Sequence, residues 1–468
     1  MKKTNMTFAL YFGNRGFFPG EVIASARKEM VEAVEKQGYT ALIMDENKTR
    51  YGAVETIQEG KIYAEFIKAH KDEIDGIILC LPNYGDENGA YNALKDANVP
   101  ILVQAYPDEI GKMDFANRRD SLCGKIAMLN VLRQAGIKYT QTKKFVVSPL
   151  SEDFAKDLEN FAGICRVVKG FQSFTIGAIG ARTTAFKTVR VDEIGLQRKR
   201  INVESIDMSM VFAIMDSLTK DDIKEKVAYY KTLSDFGSYP EIKVENIARL
   251  GVAIDKLIKD YSLDAIAIRC WDELQKKYGV APCLILGDLN EKGIYSACEL
   301  DISNSIMMRA VGLAADYPVM LLDVNNNYGD SKDKAIFFHC GPVPQSLMAE
   351  KTHIEEHLMF KKTYGEGSGV GLSVGKIATN KITVASLKTE NGQIHSFVTE
   401  GEIVDEPIEK AFFGCGMVFK KDDGDVNKMM LYMGENGYRH HVAITKGEWK
   451  DAIYEAFNKY LEINIDII

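Results

Sequence analysis

Between Cys298 and Cys340 the chain carries three short stretches of one design, an apolar lead-in followed by a group that can bind a metal or move a proton. They are Cys298-Glu299-Leu300-Asp301, Leu321-Leu322-Asp323-Val324 and Phe338-His339-Cys340-Gly341. Farther along comes Arg439-His440-His441-Val442-Ala443-Ile444. Two carboxylates and two imidazoles, each at the end of an apolar run, form the donor set of a hard-to-borderline divalent cation. Singly, each has an ordinary structural reading. Glu299 and Asp323 fit a helix N-cap or a strand-end carboxylate, and His339 fits a hydrogen-bonded core histidine. Of His440 and His441, adjacent on a strand, only one is expected to face a site. Their grouping in one half of the chain is what favours a metal centre.

Other motifs carry less. His353-Ile354-Glu355-Glu356-His357 has the H-x-x-E-H spacing of a zinc-protease helix. Lys351, Lys361 and Lys362 flank it, and a solvated polar turn is the better reading. Gly365-Glu366-Gly367-Ser368-Gly369-Val370-Gly371 lacks the Lys-Ser/Thr of a phosphate loop and reads as a flexible or substrate-covering loop. Phe174 to Arg182 is dotted with glycine but is not G-x-G-x-x-G, so no dinucleotide site is expected.

The elements that must position these residues follow from length and texture. At 468 residues two or three domains are expected. Residues 1–143 alternate strands (Thr7–Phe12, Ala41–Met44, Gly76–Leu81, Ile101–Ala105) with helices, the pattern of an N-terminal α/β domain whose loops offer substrate contacts. Residues 144–325 form a second α/β unit carrying both carboxylates, with strands at 145–147, 265–268 and 282–286 and helices at 151–161, 243–261 and 303–315. Residues 326–468 change to short apolar strands, including 429–433, closed by a helix at 449–461. The expected fold class is α/β: two doubly wound parallel-sheet domains followed by a mainly antiparallel, barrel-like β domain carrying the histidines.

Composition excludes several classes. The apolar (46%) and charged (26%) fractions are those of a globular protein. No run approaches ~18 uncharged apolar residues, so no membrane-spanning helix is expected. The N-terminus lacks the features of a signal peptide, and a cytoplasmic location is expected. Eight cysteines without a C-x-x-C pair read as buried free thiols. A net charge of −8 gives no basic footprint for nucleic acid or anionic membrane.

The chain resembles the L-fucose/L-arabinose isomerase family over most of its length. Ala297-Cys298-Glu299-Leu300-Asp301 is similar to the family's first metal-glutamate motif, and Leu322-Asp323 with Tyr328 to its second metal-carboxylate motif. Phe338-His339-Cys340-Gly341-Pro342 resembles the arabinose branch's metal-histidine segment. His440-His441-Val442 resembles the terminal motif in which the second histidine is the ligand. The Gly369–Asp405 region and Met113-Asp114-Phe115-Ala116-Asn117 are similar as well. Asp323 follows the fucose branch and His339 the arabinose branch, so the chain is a divergent, short member and neither sugar carries over.

The resemblance implies an aldose–ketose isomerase working through a cis-enediol(ate) on an open-chain sugar, with Mn²⁺ or another divalent ion such as Co²⁺ or Mg²⁺. Glu299 and Asp323 are assigned as metal ligands and as the proton-moving catalytic pair. His441 and His339 complete the metal shell, His339 doubling as a substrate contact. Arg15, Gln104, Asn117 and Trp271 are the remaining expected substrate contacts, and an arginine there suits an anionic group on C6. The family further implies a homo-oligomer, a hexamer or a smaller trimer or dimer, with sites shared between subunits. Three alternatives stand beside this. The same chemistry acts on a C6-anionic sugar such as sulfoquinovose, giving sulfofructose. A sugar-binding protein has two similar α/β domains but leaves the acid–histidine set unexplained. A regulatory relative without activity would bind no Mn²⁺.

Overall fold

The computed structural model describes residues 4–409 and 414–468. By contacts the chain divides into two compact units, residues 1–169 with 455–462, and residues 170–454 with 463–468. The fold is mixed α/β, with parallel sheets and an antiparallel β-rich C-terminal sheet.

The first unit is built on a five-stranded parallel sheet in the order Thr40–Ile43, Thr7–Phe12, Gly76–Leu81, Ile101–Ala105, Thr140–Gln141. Its central strands are buried along their length, as sheets covered on both faces require. Ala9, Tyr11, Ile77, Leu79 and Val103 belong to the core beneath its helices. One helix, Ile57–Ala69, starts with a capping box between Thr56 and Glu59.

The second unit contains two large sheets. A parallel one runs Tyr295–Ala297, Ala265–Ile268, Phe174–Ile179, Ile201–Ile206. The antiparallel one runs Lys381–Glu390, His441–Lys446, Met320–Asn327, Lys334–His339, Cys415–Lys421, Gln393–Val404. Lys381–Glu390 also pairs with Gln393–Val404, which closes these six strands into a ring, and Asn464–Ile467 adds alongside. Phe337, Phe397 and Phe419 fill its core.

Several expected elements differ. Residues 282–286 are not a strand but part of the helix Cys283–Glu291, and 429–433 lie in the helix Val426–Glu435. A short fully apolar run has no period that separates a buried strand from a buried helix. Asp425, whose side chain accepts from Lys428 N, marks the second helix start. Residues 145–147 form no strand. His353 to Glu356 is not a polar turn but lies on the strand Thr352–Glu356, so His353 and His357 share no helical face. Helix 303–315 begins one residue earlier, at Ile302, and the helix from residue 152 runs on to Gly170.

Candidate active site

Glu299, His339 and His441 reach the site from strand ends, and Asp323 from within a strand. Glu299 follows the strand Tyr295–Ala297 at the C-terminal edge of the parallel sheet, the edge where open α/β sheets hold ligands. Leu300 N donates to Ile268 O (3.0 Å), which ties this loop to the neighbouring strand end from which Trp271 follows. Glu299 (φ +60°) and Leu300 (φ +61°) both occupy the left-handed region, at a cost of roughly 1–2 kcal/mol each for non-glycine residues. Such strain persists where the surroundings over-determine the backbone, which is common at functional sites.

The closed sheet supplies the rest. Asp323 stands directly opposite His441 on one neighbouring strand and opposite Phe338 on the other. A register irregularity follows between Val324 and Asn326, the kind of bulge that re-aims side chains. His339 ends its strand. His441 Nε2 lies 3.2 Å from Glu299 Oε2 and 3.3 Å from Asp323 Oδ1. His440, expected to turn away, stays near: its Nε2 is 3.8 Å from Asp323 Oδ1. It precedes the strand His441–Lys446, so strand alternation does not govern it. Phe186 packs against Trp271 and both histidines, with centroid separations of 5.6–5.9 Å.

Behind His441 lies a buried polar network. Its Nδ1 is 2.8 Å from Asp301 Oδ2. Asp301 also accepts from Arg439 and from Asn304 N and Nδ2 (3.1 and 2.7 Å). Asn304 Oδ1 in turn accepts from Ser386 Oγ and Leu387 N. Burial would raise the Asp301 carboxyl, but Arg439, His441 and Asn304 hold it well below the usual carboxylate range. Burial opposes charge on His441, and Asp301, Glu299 and Asp323 outweigh it, holding the imidazolium up to about 10. His440 is pulled down, by burial first and then by His441.

Asp323 Oδ1, His339 Nε2 and His441 Nε2 are buried with no hydrogen-bond partner of good geometry among the described residues. Ligand atoms of Asp323, His339 and His441 lie within 4.8 Å of one another, as do those of Glu299, His440 and His441. Buried polar atoms left unpaired around one point, together with a mixed carboxylate–imidazole set, fit a divalent cation of the Mn²⁺ type. The carboxylates that hold a proton on His441 are the charges such a cation would balance. A narrow cleft opens beside them, with Trp271, Glu299, Asp323, His339, His357 and Phe360 in its wall.

Asp301 and Arg439 sit inside the quoted motifs but had no assigned role there; an acid two residues after a ligand at a helix start was their only signal. Phe186 carries no such signal, and His357 appears only as the last residue of the H-x-x-E-H spacing. Of the expected substrate contacts, Trp271 lines the cleft. The other three belong to the first unit. Arg15 is ion-paired with Glu87 and lies over the Tyr84 ring (4.2 Å). Gln104 is fully buried, donating to Val147 O (2.6 Å). Asn117 donates to Asp114 (2.7 Å).

Two family models match the chain: the fucose/sulfoquinovose isomerase N-terminal domain over residues 9–172, and the L-fucose isomerase C-terminal domain over residues 337–468. The chain belongs to the L-fucose/L-arabinose isomerase family and is an enzyme of its aldose–ketose isomerase class. A sulfoquinovose isomerase of Priestia aryabhattai is 24% identical over 407 residues, 86% of this chain and 87% of that one. One from Alkalicoccus urumqiensis is 24% identical over 391 residues, 81% and 83%. Another, from Clostridium sp. strain MSTE9, is 22% identical over 341 residues, 72% and 74%. Among the described residues no helix is long and apolar enough to cross a membrane.

Proposed function

We propose that the protein interconverts an aldose and a ketose that carry an anionic group on C6, with sulfoquinovose and sulfofructose as the pair, in a divalent-cation-dependent reaction. The convergence of Glu299, Asp323 and His441 on one buried point supports the chemistry. The relatives named sulfoquinovose isomerases, matched along most of their length, support the substrate.

Glu299, Asp323 and His441 would hold the cation, and Mn²⁺ suits this set. When bound, the ion supplies Lewis-acid stabilisation of negative charge on the two adjacent sugar oxygens. The protein's own groups do the rest. Isomerisation moves a proton between C1 and C2, and Glu299 and Asp323 are the carboxylates placed to act as base and acid for it. The buried walls, with Trp271 and Phe360, limit water around the enediolate. Arg15 of a neighbouring subunit is the proposed partner of the sulfonate, since a guanidinium matches such an oxyanion by paired hydrogen bonds. The family's habit of sharing sites between subunits makes a homo-oligomer part of this reading.

The deciding experiment is an assay in D₂O on metal-stripped protein, with and without restored Mn²⁺, using sulfoquinovose beside neutral aldoses and read by NMR. Expected is deuterium at C1 of sulfofructose, only with metal. Equal labelling of neutral ketoses would remove the anionic requirement. No labelled ketose from any sugar would end the isomerase reading.

A further inference from the structure

His339 and His441 border the same cleft, yet their surroundings fix opposite ends of the two rings. Asp301, an ionised carboxylate that only accepts, takes the Nδ1 hydrogen of His441. Nε2 of His441 is thereby turned to Glu299 and Asp323, the nitrogen that would hold a cation once its proton is displaced. His339 is arranged the other way. Its Nδ1 accepts the backbone N–H of Cys340 at 2.9 Å. A peptide nitrogen is a donor and nothing else, so the ring nitrogen facing it offers its lone pair. The Cys340 sulfur is 3.2 Å from the same nitrogen. The hydrogen of a neutral His339 ring then sits on Nε2.

That Nε2 is buried and finds no acceptor among the described residues. His339 as a whole is only 3% exposed. The nitrogen is among the atoms grouped with Asp323 and His441, beside the cleft. A ring nitrogen that carries hydrogen has no lone pair for a cation. It has a donor bond to give, and the cleft is where an acceptor can enter.

We propose that His339 is not a ligand of the cation but a catalytic residue that contacts substrate, its Nε2–H donating to a C1 or C2 oxygen of the open-chain sugar as negative charge develops there. The assignment rests on the isomerase reading above and sharpens it. No proton changes hands in this step: the N–H···O bond strengthens as the oxygen gains charge. A buried, pre-aimed donor of this kind acts mainly in the transition state, because it needs no reorganisation when the charge appears.

The test separates cation binding from turnover. Mn²⁺ is titrated by calorimetry into metal-stripped wild type, His339→Gln, His339→Ala and His441→Ala, with no sugar present. Both His339 variants are expected to bind Mn²⁺ within about threefold of wild type, while His441→Ala loses tenfold or more. The visible ligand-field spectrum of the Co²⁺-loaded protein is expected to be unchanged in His339→Gln. In the isomerase assay, His339→Ala is expected to lower kcat about 10²-fold with little change in KM. His339→Gln, which restores an N–H donor, should recover part of that loss. If His339→Ala weakens Mn²⁺ binding as much as His441→Ala does, His339 is a ligand and the proposal fails. Full turnover by His339→Ala overturns it as well. A wild type that binds Mn²⁺ but isomerises no sugar shows the failure to lie in the isomerase reading, which takes this proposal with it.

Discussion

Asp301 Oδ2 lies 2.8 Å from His441 Nδ1, and neither side chain exposes any surface. The same carboxylate takes hydrogen bonds from Arg439 and from two nitrogens of Asn304, so one acid collects four donors. This sets the His441 ring so that Nε2 meets Glu299 and Asp323. We expect Asp301→Asn to reduce Mn²⁺ affinity by roughly 10–100-fold, the usual effect of removing a carboxylate that orients a ligating histidine. An asparagine amide can donate to Nδ1 and so push the ring hydrogen onto Nε2. The change also leaves Arg439, 5% exposed, without its partner, at about 3–5 kcal/mol. Calorimetry and thermal unfolding of the metal-free variant measure the two effects separately. Unchanged Mn²⁺ affinity would leave Asp301 a purely structural acid.

The first unit offers a pH test that is independent of the site. Lys125 is fully buried, donating to Thr142 Oγ1 and Phe145 O at 2.8 Å. Burial pulls its pKa down to about 8, with Asp157 opposing. The sign follows from proton counting. Between pH 8 and 10.5 the unfolded chain holds this proton and the folded chain does not, so stability from this group rises with pH across that window. Below pH 8 the full cost of burying the charge is present. Relative to Lys125→Met, whose stability lacks this dependence, the wild type is expected to gain up to about 3 kcal/mol by pH 10.5. Urea unfolding of both proteins at pH 7.5 and pH 10 checks this; a constant difference between them refutes it.

Much of the site was legible because each of its groups stands at an end of an apolar run. Glu299 follows the end of a buried strand, His339 ends one, His441 begins one, and Asp323 stands within a strand just after its buried stretch, residues 320–322. The Glu299 loop lies at the sheet edge where α/β folds place chemistry. What could not be read was how those groups are aimed. Nothing in Glu299-Leu300 announces two left-handed residues, since neither is glycine. Asp301 and Arg439 meet across 138 positions of sequence, and no local pattern reports a pairing that the closed sheet creates. The parallel and antiparallel sheets were legible from texture. The helices Cys283–Glu291 and Val426–Glu435 were not, because their apolar runs are too short for a period to show.

The closed sheet that carries Asp323, His339 and His441 depends on its aromatic filling. Phe337 and Phe419 are fully buried and stack with centroids 4.7 Å apart. Phe337→Ala is expected to cost about 3–5 kcal/mol, transfer and cavity terms together, and Phe337→Leu distinctly less. Chemical denaturation of the metal-free proteins measures both. Equal losses for the two variants would mean that the site collapses around the smaller side chain.

The last prediction separates the two jobs given to the carboxylates. Glu299→Gln and Asp323→Asn keep size and shape but remove a charge that faces His441. If each carboxylate both holds the cation and moves a proton, each amide should weaken Mn²⁺ binding and also abolish turnover at saturating Mn²⁺. An amide can still offer an oxygen to a cation, but it cannot accept a proton from carbon near neutral pH. Deuterium exchange resolves which acid does what. The variant that lacks the base should bind the aldose in D₂O without exchanging its C2 hydrogen. The variant that lacks only the acid is expected to retain slow exchange without forming ketose. Chelation should abolish exchange in the wild type, and Mn²⁺ should restore it. If either amide turns over at the wild-type rate once Mn²⁺ is saturating, that carboxylate is a ligand alone, and the proton-moving role passes to another group of the cleft.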